Sequence, residues 1–310
     1  MVHILVVGSL NMDLVVSADR IPVPGETILG RDFNTFPGGK GANQAVAAAR
    51  QGAAVTFIGC VGNDSFGGEL LNGLKAEGIE IKLVRVCEDA PSGVALITLD
   101  VAGQNSIVVV SGANAKLTPR HIREKRDVFS EADVLLLQLE TPLDTVLTAA
   151  QEAKERGVLV VLNPAPAQLL PDELLTLVDV LVPNESETAL LTGQPVETME
   201  QVESAAQVLI TQGVGSVVVT LGSRGALLVA EGLPRIHVPA FPVDAVDTTA
   251  AGDSFVGALA LGLAEGLPRE EAMLRACAAG ALAAGRLGAQ PSIPTRKAVD
   301  ELVTNQTRAS

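Results

Sequence analysis

Short runs of Val, Ile and Leu alternate with helical patterns along most of the chain, and this alternation limits the possible folds more than any other feature. The predicted strands are "HILVVG", "VTFIGCVG", "VLLLQLE", "VLVVLNP", "DVLVPN" and "SVVVTLG". The predicted helices between them are "GANQAVAAARQG", "SFGGELLNGLKAEG", "LDTVLTAAQEAKERG" and residues 199–212. Because the apolar runs are continuous, these strands are expected to be buried on both faces. Repeated strand–helix units predict a three-layer α/β/α domain with a mostly parallel central sheet.

Two segments interrupt this rhythm. Residues 13–36 are rich in Pro and Gly with short alternating runs, and residues 92–110, "SGVALITLDVAGQNSIVVV", have the pattern of a hairpin that turns near residues 102–105. We predict that the two segments form a small separate β-sheet, a lid. The remaining residues, 1–12, 37–91 and 111–310, are then the α/β domain, which is helical from Gly252 onward.

The composition excludes several classes of partner. The formal net charge is −14 and the chain has no Trp or Tyr, which argues against nucleic acid, since that needs a basic footprint and often stacking aromatics. No apolar run is long enough to span a membrane. The start of the chain has no basic region followed by a cleavage site, and the three cysteines have no metal-ligand spacing. A cytoplasmic protein with reduced thiols is therefore expected.

Polar residues follow five of the predicted strands. They are Asn11 with Asp13, then Glu140, Asn163, the stretch "NESE" and the stretch "LGSRG". Because the carboxyl ends of parallel strands share one edge of a sheet, and ligands bind outside that edge, five coincident cases predict a site there.

The stretch "DTTAAGDSF", residues 247–255, places small residues just before a predicted helix. The first turn of a helix has N–H groups without an intrahelical partner and carries partial positive charge, so small side chains would let a phosphate approach closely. Asp253 is then a general base beside a phosphate site, or simply a helix N-cap.

Two further stretches suit a polyhydroxylated ligand. Asn11 and Asp13 are two residues apart and can face the same way, and a carboxylate can accept hydrogen bonds from adjacent hydroxyls; an Asx-turn is the alternative. In "PGGKGANQA", glycines precede a helix that places Lys40 and Asn43 one turn apart. The alternative is a flexible helix entry with a solvated lysine.

Two stretches suit a nucleotide and its metal ion. In "NESE", Asn184 and Glu187 can steer a hydrated Mg²⁺ near phosphate, or they form a capping box. "TLGSRG" is a glycine-punctuated turn apt for nucleotide phosphates or ribose, or a tight hairpin into "ALLVAEG". No Ser/His/Asp or Cys/His set and no dinucleotide fingerprint is present, so acyl transfer and hydride transfer lose their usual support.

Taken in order, these stretches resemble the ribokinase family of carbohydrate kinases over nearly the whole chain. "GSLNMD" and "PGET" are similar to the family's opening, "GGKGANQA" to its first signature and "DTTAAGDSF" to its second. "NPAPA", "PNESE", "TLGSRG" and "GAQPS" are close to the ribokinases of that family rather than to its other sugar and nucleoside kinases. The alternatives are a kinase for another sugar or a nucleoside, or a non-catalytic sugar-binding relative, against which the intact Gly252–Asp253 pair argues.

The resemblance implies transfer of the ATP γ-phosphoryl group to the 5-hydroxyl of D-ribose, with Asp253 as the base. It implies an anion hole formed by Ala250, Ala251, Gly252 and Asp253. It implies a sugar site of Asn11, Asp13, Gly39, Lys40, Asn43 and Glu140. It implies a nucleotide site of Asn184, Thr220, Gly222, Ser223, Gly225 and Gly252, with Glu187 serving Mg²⁺. Many members have a histidine beside the adenine, where this chain has Cys277.

Asp247 precedes the helix start and needs its own explanation. A carboxylate close to a phosphate site repels the ligand unless a cation accompanies it, and K⁺ is a natural candidate; a turn cap is the alternative. The resemblance implies that the K⁺ ligands are Asp247, Thr249, Ala283, Arg286, Gly288 and Ser292. It also implies a homodimer that pairs lid to lid.

Overall fold

The structure, a computed structural model, describes residues 1–102 and 104–309. Its strands are β1 His3–Val7, β2 Asn11–Ser17, β3 Asp32–Gly38, β4 Ala54–Gly62, β5 Glu80–Cys87, β6 Gly93–Leu99, β7 Asn105–Val110, β8 Val134–Leu137, β9 Leu159–Leu162, β10 Val180–Leu181, β11 Ser216–Thr220, β12 Ala226–Ala230 and β13 Ile236–Val238. Its helices are α1 Lys40–Arg50, α2 Ser65–Ala76, α3 Pro119–Glu124, α4 Leu143–Lys154, α5 Asp172–Leu175, α6 Glu185–Thr192, α7 Met199–Thr211, α8 Ala251–Ala264, α9 Arg269–Ala284, α10 Ala289–Ser292 and α11 Arg296–Ala309.

The central sheet is mostly parallel, as predicted. Within the described residues it has nine strands in the order β13-β12-β11-β10-β9-β8-β1-β4-β5. The strands from β11 to β5 pair in parallel, and β12 and β13 add an antiparallel edge. The six predicted strands all belong to this sheet. Strands β5 and β13 were not predicted, because their residues are too polar or too few to give the pattern of a buried strand.

Helices cover both faces of this sheet because successive strand side chains point to opposite faces. On β1, Ile4 and Val6 belong to one buried cluster, and Leu5 and Val7 belong to the other. The first cluster includes apolar residues of α1, α8 and α9, and the second includes those of α4 and α7. The three-layer α/β/α prediction is therefore confirmed.

The two interrupting segments form a separate sheet with strand order β3-β2-β6-β7. β2 pairs antiparallel with β3 and parallel with β6, and β6 and β7 form the predicted hairpin. Residue 103, within the predicted turn, and residue 310 lie outside the described residues. The strands β2 and β3 run from Asn11 to Gly38, slightly past the predicted lid segment 13–36, and the division into domains stays a prediction.

Helix α8 lies unusually close to α1. A Cβ at Gly257 would come within 2.6 Å of the Cβ of Ala47 and 2.9 Å of the carbonyl oxygen of Gln44. Only glycine permits this approach, because any side chain would push the two helices apart. The contact brings the first turns of α1 and α8 together. No helix in the described part of the chain has the length and apolarity needed to cross a membrane.

Candidate active site

A cavity of about 960 Å³ lies between the central sheet and the small sheet. The small sheet contributes apolar side chains on alternate residues of its strands, namely Val15, Ala95, Ile97, Ile107 and Val109. All six predicted sugar-binding residues line the cavity: Asn11, Asp13, Gly39, Lys40, Asn43 and Glu140. Four further predicted residues join them: Asp247, Thr249, Asp253 and Gly288. The structure thus brings ten of the predicted site residues together around a single cavity.

Asn11 and Asp13 face the same way, as predicted, because both are alternate residues of β2. The Asx-turn alternative is wrong, since the backbone here is a paired strand. Asn114 fixes the amide of Asn11: its Nδ2 donates to Asn11 Oδ1 at 2.8 Å. Burial, followed by the carboxylates of Glu140 and Asp253, raises the pKa of Asp13 to about 7, although Lys40 lowers it. A buried carboxylate of this kind gains from any hydroxyl that donates to it.

The start of α1 is closed by a carboxylate of the chain itself. Gly39, the N-cap, has φ 90° and no capping side chain. Glu140 takes that role: its Oε2 accepts from the backbone N–H of Lys40 at 2.9 Å and from Ser9 Oγ at 2.5 Å. Ser9 Oγ in turn accepts from the N–H of Gly41 at 3.2 Å. Glu140 therefore supplies negative charge where the helix dipole favours it.

The start of α8 is open. The N-cap is Ala250, which has no side-chain acceptor, and the N–H of Ala251 is bonded to Thr248 O at 3.2 Å. Among the described residues, nothing accepts a hydrogen bond from the N–H groups of Gly252 and Asp253. These donors lie at the positive end of a helix and can receive an anion.

Asp253 is buried at this open start. Its Oδ2 accepts from Asn43 Nδ2 at 2.9 Å and its Oδ1 from Gln44 Nε2 at 3.0 Å. Burial raises the pKa of Asp253, whereas Lys40 and the two amides lower it. The N-cap alternative is wrong, because Ala250 occupies the cap and the carboxylate binds α1 instead. Asp253 thus has the position of a base that faces the cavity.

Lys40 is the one cation among the described residues that line the cavity. Burial lowers the pKa of its amine, but the carboxylates of Asp253, Glu140 and Glu187 raise it more, so the net shift is upward. The lysine is partly buried and forms no ion pair with any described carboxylate. A permanently charged ammonium at this place can attract a phosphate toward the start of α8.

Most of the predicted nucleotide residues lie outside the cavity, at the carboxyl ends of β10 and β11, whereas Gly252 lies at the start of α8 and Cys277 in α9. Asn184 and Thr220 are joined there by an isolated parallel bridge. The capping-box alternative for "NESE" is confirmed: Asn184 Oδ1 accepts from the N–H of Glu187, and Glu187 Oε2 accepts from the N–H of Asn184, both at 2.8 Å. Burial raises the pKa of Glu187. These contacts leave the predicted Mg²⁺ role untested.

The glycine-punctuated stretch after β11 is the tight hairpin that we considered as an alternative. A short 3₁₀ turn, Gly222–Arg224, connects β11 to the antiparallel strand β12, and Gly222 and Ser223 are exposed on it. Gly225 has φ 94°, and a Cβ there would lie 2.0 Å from the carbonyl oxygen of Val238. Cys277 is buried in α9 away from the cavity, and burial raises its pKa to about 12. Its adenine contact stays a prediction.

Asp247 holds two loops together. Its Oδ1 accepts from the N–H of Thr249 at 3.0 Å and from the Thr249 hydroxyl, and its Oδ2 accepts from the N–H of Gly288 at 2.9 Å. The turn-cap alternative therefore accounts for the contact of Asp247 with Thr249 but not for its contact with Gly288. Of the other residues predicted to bind K⁺, Ala283 accepts from the N–H of Arg286, and Ser292 Oγ donates to Ala289 O at 2.8 Å. In the described part of the chain, no group of three or more His, Cys, Asp or Glu could hold a metal ion.

Two buried amides and one half-buried amide behind Asp253 were not predicted as part of the site. Gln44 and Gln138 are fully buried and hydrogen-bond each other, and Asn163, which was noted only as a polar residue after a strand, hydrogen-bonds Gln44. A signal was present: Gln138 interrupts the apolar run "VLLLQL", and Gln44 lies on the face of α1 that the helix buries. Thr141, which follows Glu140 and lines the cavity, gave no signal.

Three comparisons place this site among known proteins. A family model described as pfkB family carbohydrate kinase matches residues 1–296. The ribokinase of Haemophilus influenzae is 45% identical over 292 residues, which are 94% of this chain and 95% of that protein. The ribokinase of Bacillus subtilis is 41% identical over 302 residues, 97% of this chain and 99% of that protein. The solved structure of Arabidopsis thaliana ribokinase complexed with ribose and ATP has a TM-score of 0.92 and 38% identity, and it covers 98% of this chain and 99% of its own.

Proposed function

The chain belongs to the pfkB family of carbohydrate kinases, and from this premise we propose that it transfers the γ-phosphoryl group of ATP to the 5-hydroxyl of D-ribose. One observation carries the proposal: the cavity brings the six predicted sugar-binding residues to the open start of α8, where Asp253 faces them. A polyhydroxylated acceptor, a base and an anion site then meet at one point. The extent of similarity to ribokinases supports ribose over other acceptors.

The sugar binds against the carboxylates and amides of the cavity. Asp13 accepts hydrogen bonds from adjacent hydroxyls, which offset the cost of burying its charge. Asn43 adds a buried Oδ1 without a partner among the described residues, and a hydroxyl of the sugar can donate to it. The apolar side chains of the small sheet cover the other side of the sugar and exclude water.

Phosphoryl transfer forms a bond between O5 of ribose and the γ-phosphorus and breaks the bond from that phosphorus to the β,γ-bridging oxygen. The O5 proton passes to Asp253, and ADP leaves with the bridging oxygen. The N–H groups of Gly252 and Asp253 stabilise the charge on the transferred group, and Lys40 adds a positive charge. Positioning and charge stabilisation, rather than covalent catalysis, carry the reaction.

The nucleotide is assigned to the carboxyl ends of β10 and β11. Asn184 and Thr220 adjoin there, and the exposed Gly222–Arg224 turn leaves backbone groups accessible. Mg²⁺ belongs on the side of Glu187, whose buried carboxylate has a raised pKa that a cation would lower again. Mg²⁺ neutralises phosphate charge when it is bound. The three buried free cysteines favour a reducing compartment, the cytoplasm.

K⁺ is assigned to the two loops that Asp247 joins. The residues fit a monovalent cation because the set offers one carboxylate, from Asp247, and otherwise neutral oxygen atoms: those of Thr249, Arg286 and Gly288 on irregular backbone and those of Ala283 and Ser292 at the ends of α9 and α10. With K⁺ bound, the loop before α8 carries less net negative charge. We expect K⁺ to raise activity strongly over Na⁺ at equal ionic strength, and Asp247→Ala to remove most of that response. Equal rates in K⁺, Na⁺ and a bulky organic cation would contradict the assignment.

A second copy of the chain is assigned to the outer face of the small sheet. Leu96, Val108 and Val110 lie on that face, opposite the cavity, and are 48%, 58% and 47% exposed. Leu96 and Val108 are cross-strand neighbours, so the apolar surface is continuous. We expect a dimeric mass by light scattering at micromolar concentration and a monomeric mass for Val108→Glu. A monomeric wild-type protein that retains activity would exclude this assembly.

The experiment that tests the proposed function is ADP release from ATP with a panel of acceptors. The panel contains D-ribose, 2-deoxy-D-ribose, D-xylose, D-fructose and adenosine, each with Mg²⁺ and with or without K⁺. The proposal requires the highest kcat/KM for D-ribose and a product phosphorylated at O5 by ³¹P NMR. A preference for another sugar or a nucleoside would replace ribose as the acceptor, and no turnover with any acceptor would indicate a non-catalytic sugar-binding protein.

A further inference from the structure

Two fully buried amides, Gln138 and Gln44, form a hydrogen-bonded chain that ends on Asp253, and the half-buried amide of Asn163 joins this amide chain at Gln44. Gln138 Nε2 donates to Gln44 Oε1 at 2.6 Å, and Gln44 Nε2 donates to Asp253 Oδ1 at 3.0 Å. The same Gln44 nitrogen donates its second hydrogen to Asn163 Oδ1 at 3.1 Å. Gln44 and Gln138 are fully buried, and neither lines the cavity. The chain therefore lies behind the site, on the side of Asp253 that faces the protein.

The direction of each amide in this chain is determined by the backbone. Asn163 Nδ2 donates to the carbonyl oxygen of Val182 at 2.8 Å, and a carbonyl can only accept. Oδ1 of Asn163 must then point at Gln44, which presents its nitrogen to both Asn163 and Asp253. Gln138 occupies the remaining oxygen of Gln44. With every polar atom of Gln44 engaged, a reversal of its amide would place like groups against each other three times.

The space around the hydrogen-bonded amides is equally restricted. A Cβ at Gly8 would lie 2.2 Å from Gln138 Oε1, so the strand end next to Gln138 has room only for glycine. Gln44 is carried by α1 at the point where α8 packs closest, because a Cβ at Gly257 would meet the Gln44 carbonyl oxygen at 2.9 Å. The side-chain oxygen of Gln138 thus lies directly against the backbone of Gly8, and the backbone that carries Gln44 is held by the close contact with α8.

We propose that Gln44 is a positioning residue for phosphoryl transfer: it holds the Asp253 carboxylate in one orientation, with its free lone pairs toward the cavity, while Gln138 and Asn163 hold Gln44. This inference rests on the proposed function. Asn43 holds the other oxygen of Asp253, but Asn43 lines the cavity and contacts the sugar site, whereas Gln44 acts only through Asp253. Because an amide N–H donates and cannot accept, Gln44 also favours the ionised form, which is the base.

Other charged groups act on Asp253 as well, and the test must separate them from Gln44. Lys40 on α1 lowers its pKa and Glu140 raises it, and Asp253 in turn raises the pKa values of Asp13 and Glu187. All of these groups remain in place when Gln44 alone is changed. Any movement of the acid limb of the pH profile in such a variant is therefore due to the lost amide.

The experiment replaces Gln44 with Met, which keeps the length of the side chain and removes its polar atoms. The matched control is Gln51→Met at the C-cap of the same helix, the end away from Asp253, where a buried glutamine donates to Pro294 O at 3.0 Å. We measure kcat and KM for D-ribose from pH 5 to 9 together with the thermal midpoint. For Gln44→Met we expect kcat to fall by about 10- to 100-fold, and KM to stay within about threefold.

The pH profile separates a positioning role from a structural one. Loss of a donor to the carboxylate moves the acid limb of kcat to higher pH in Gln44→Met, whereas Gln51→Met keeps the wild-type limb. A Gln44→Met enzyme with kcat within about threefold of wild type and an unmoved limb overturns the inference. If Gln44→Met does not fold, Gln138→Met decides, since it frees the Gln44 amide and is expected to move the limb in the same direction by less. A wild-type protein inactive on D-ribose contradicts the proposed function instead.

Discussion

Helices α1 and α8 begin side by side, and they differ in what meets their first N–H groups. At α1 the chain supplies its own anion, because Glu140 accepts from Lys40 N–H and Ser9 Oγ accepts from Gly41 N–H. At α8 no described residue accepts from the N–H groups of Gly252 and Asp253. The two helix N-termini therefore differ: the N–H groups of α1 are hydrogen-bonded within the protein, and those of α8 are available to a ligand.

The glycines of the two helix starts show the same difference. A Cβ at Gly41 would lie 2.5 Å from the backbone nitrogen of Ser9 and 2.7 Å from two backbone atoms of Gly8. A Cβ at Gly252 would meet no atom within 4 Å. The first glycine is required by packing. The second has no packing reason, and we interpret it as access for the transferred phosphoryl group.

The largest effect is expected for Asp253→Asn, which removes the base at the open start and keeps the shape. We expect kcat to fall by about 10²- to 10⁴-fold, because general-base catalysis contributes that much, while D-ribose still binds. Steady-state ADP release and calorimetric titration with D-ribose measure the two quantities. Retention of more than about a tenth of wild-type kcat would show that Asp253 is only structural.

The second effect concerns Asp13, whose pKa is raised both by Glu140 at the start of α1 and by Asp253 at the start of α8. Its pKa is about 7 in the folded protein and 3.8 in the unfolded reference, so the folded state binds a proton between these values. Its contribution to stability is complete below pH 4 and is lost as pH rises to about 7, a loss of a few kcal/mol at about 1.4 kcal/mol per pKa unit.

Asp13→Asn removes this titration. The free energy of unfolding of wild type minus that of Asp13→Asn should therefore fall steadily from pH 4 to pH 7.5, as measured by urea unfolding at several pH values. A difference that is flat across this window would mean that Asp13 is ionised throughout.

The third prediction concerns the packing of the first turn of α1, which Glu140 closes. Gly41→Ala forces a methyl group against the backbone of residues 8 and 9, and overpacking of this kind costs about 1–3 kcal/mol. Urea unfolding measures the loss. The matched variant is Gly73→Ala, a helical glycine of α2 with open space around its Cβ, which should gain stability by about 1 kcal/mol. Equal stabilities of the two variants would contradict the packing difference.

The smallest effect is expected for Ser9→Ala, which removes the hydroxyl between Glu140 and Gly41; Ser9 does not line the cavity, and Glu140 keeps its bond from the N–H of Lys40. We expect a loss of about 1–2 kcal/mol in the free energy of unfolding, with kcat within about twofold of wild type. A variant that folds with wild-type stability and has a much lower kcat would place the start of α1 in the chemistry and remove the contrast with α8.

The fold was predictable from the sequence because its strands are buried on both faces and therefore appear as continuous apolar runs. The hairpin β6–β7 was equally visible through its alternating pattern. Strand β5 was missed because exposed charged residues interrupt it, and β12 appeared only as an alternative to a ligand loop. The pattern of a short segment cannot distinguish a turn that binds a ligand from a turn that joins two strands.

The site was predictable in part. The residues of the cavity lie in motifs, so their positions followed from the strand ends. The closure of α1 could not be predicted, because Glu140 is 100 residues from Lys40. No local pattern indicates which distant carboxylate reaches a helix start. The amide of Gln44 was hidden for the same reason: its partners Gln138 and Asn163 become neighbours only when β8 and β9 pair beside α1.

The most direct test of the contrast between the two helix starts is the activity of Gly252→Val, measured together with its thermal midpoint. Gly68→Val is the control, since Gly68 is also a helical glycine whose Cβ would meet nothing within 4 Å. If the start of α8 receives the transferred phosphoryl group, Gly252→Val lowers kcat by about tenfold or more while both variants melt within about 3 °C of wild type. Wild-type kcat in Gly252→Val, with its fold intact, would contradict the account.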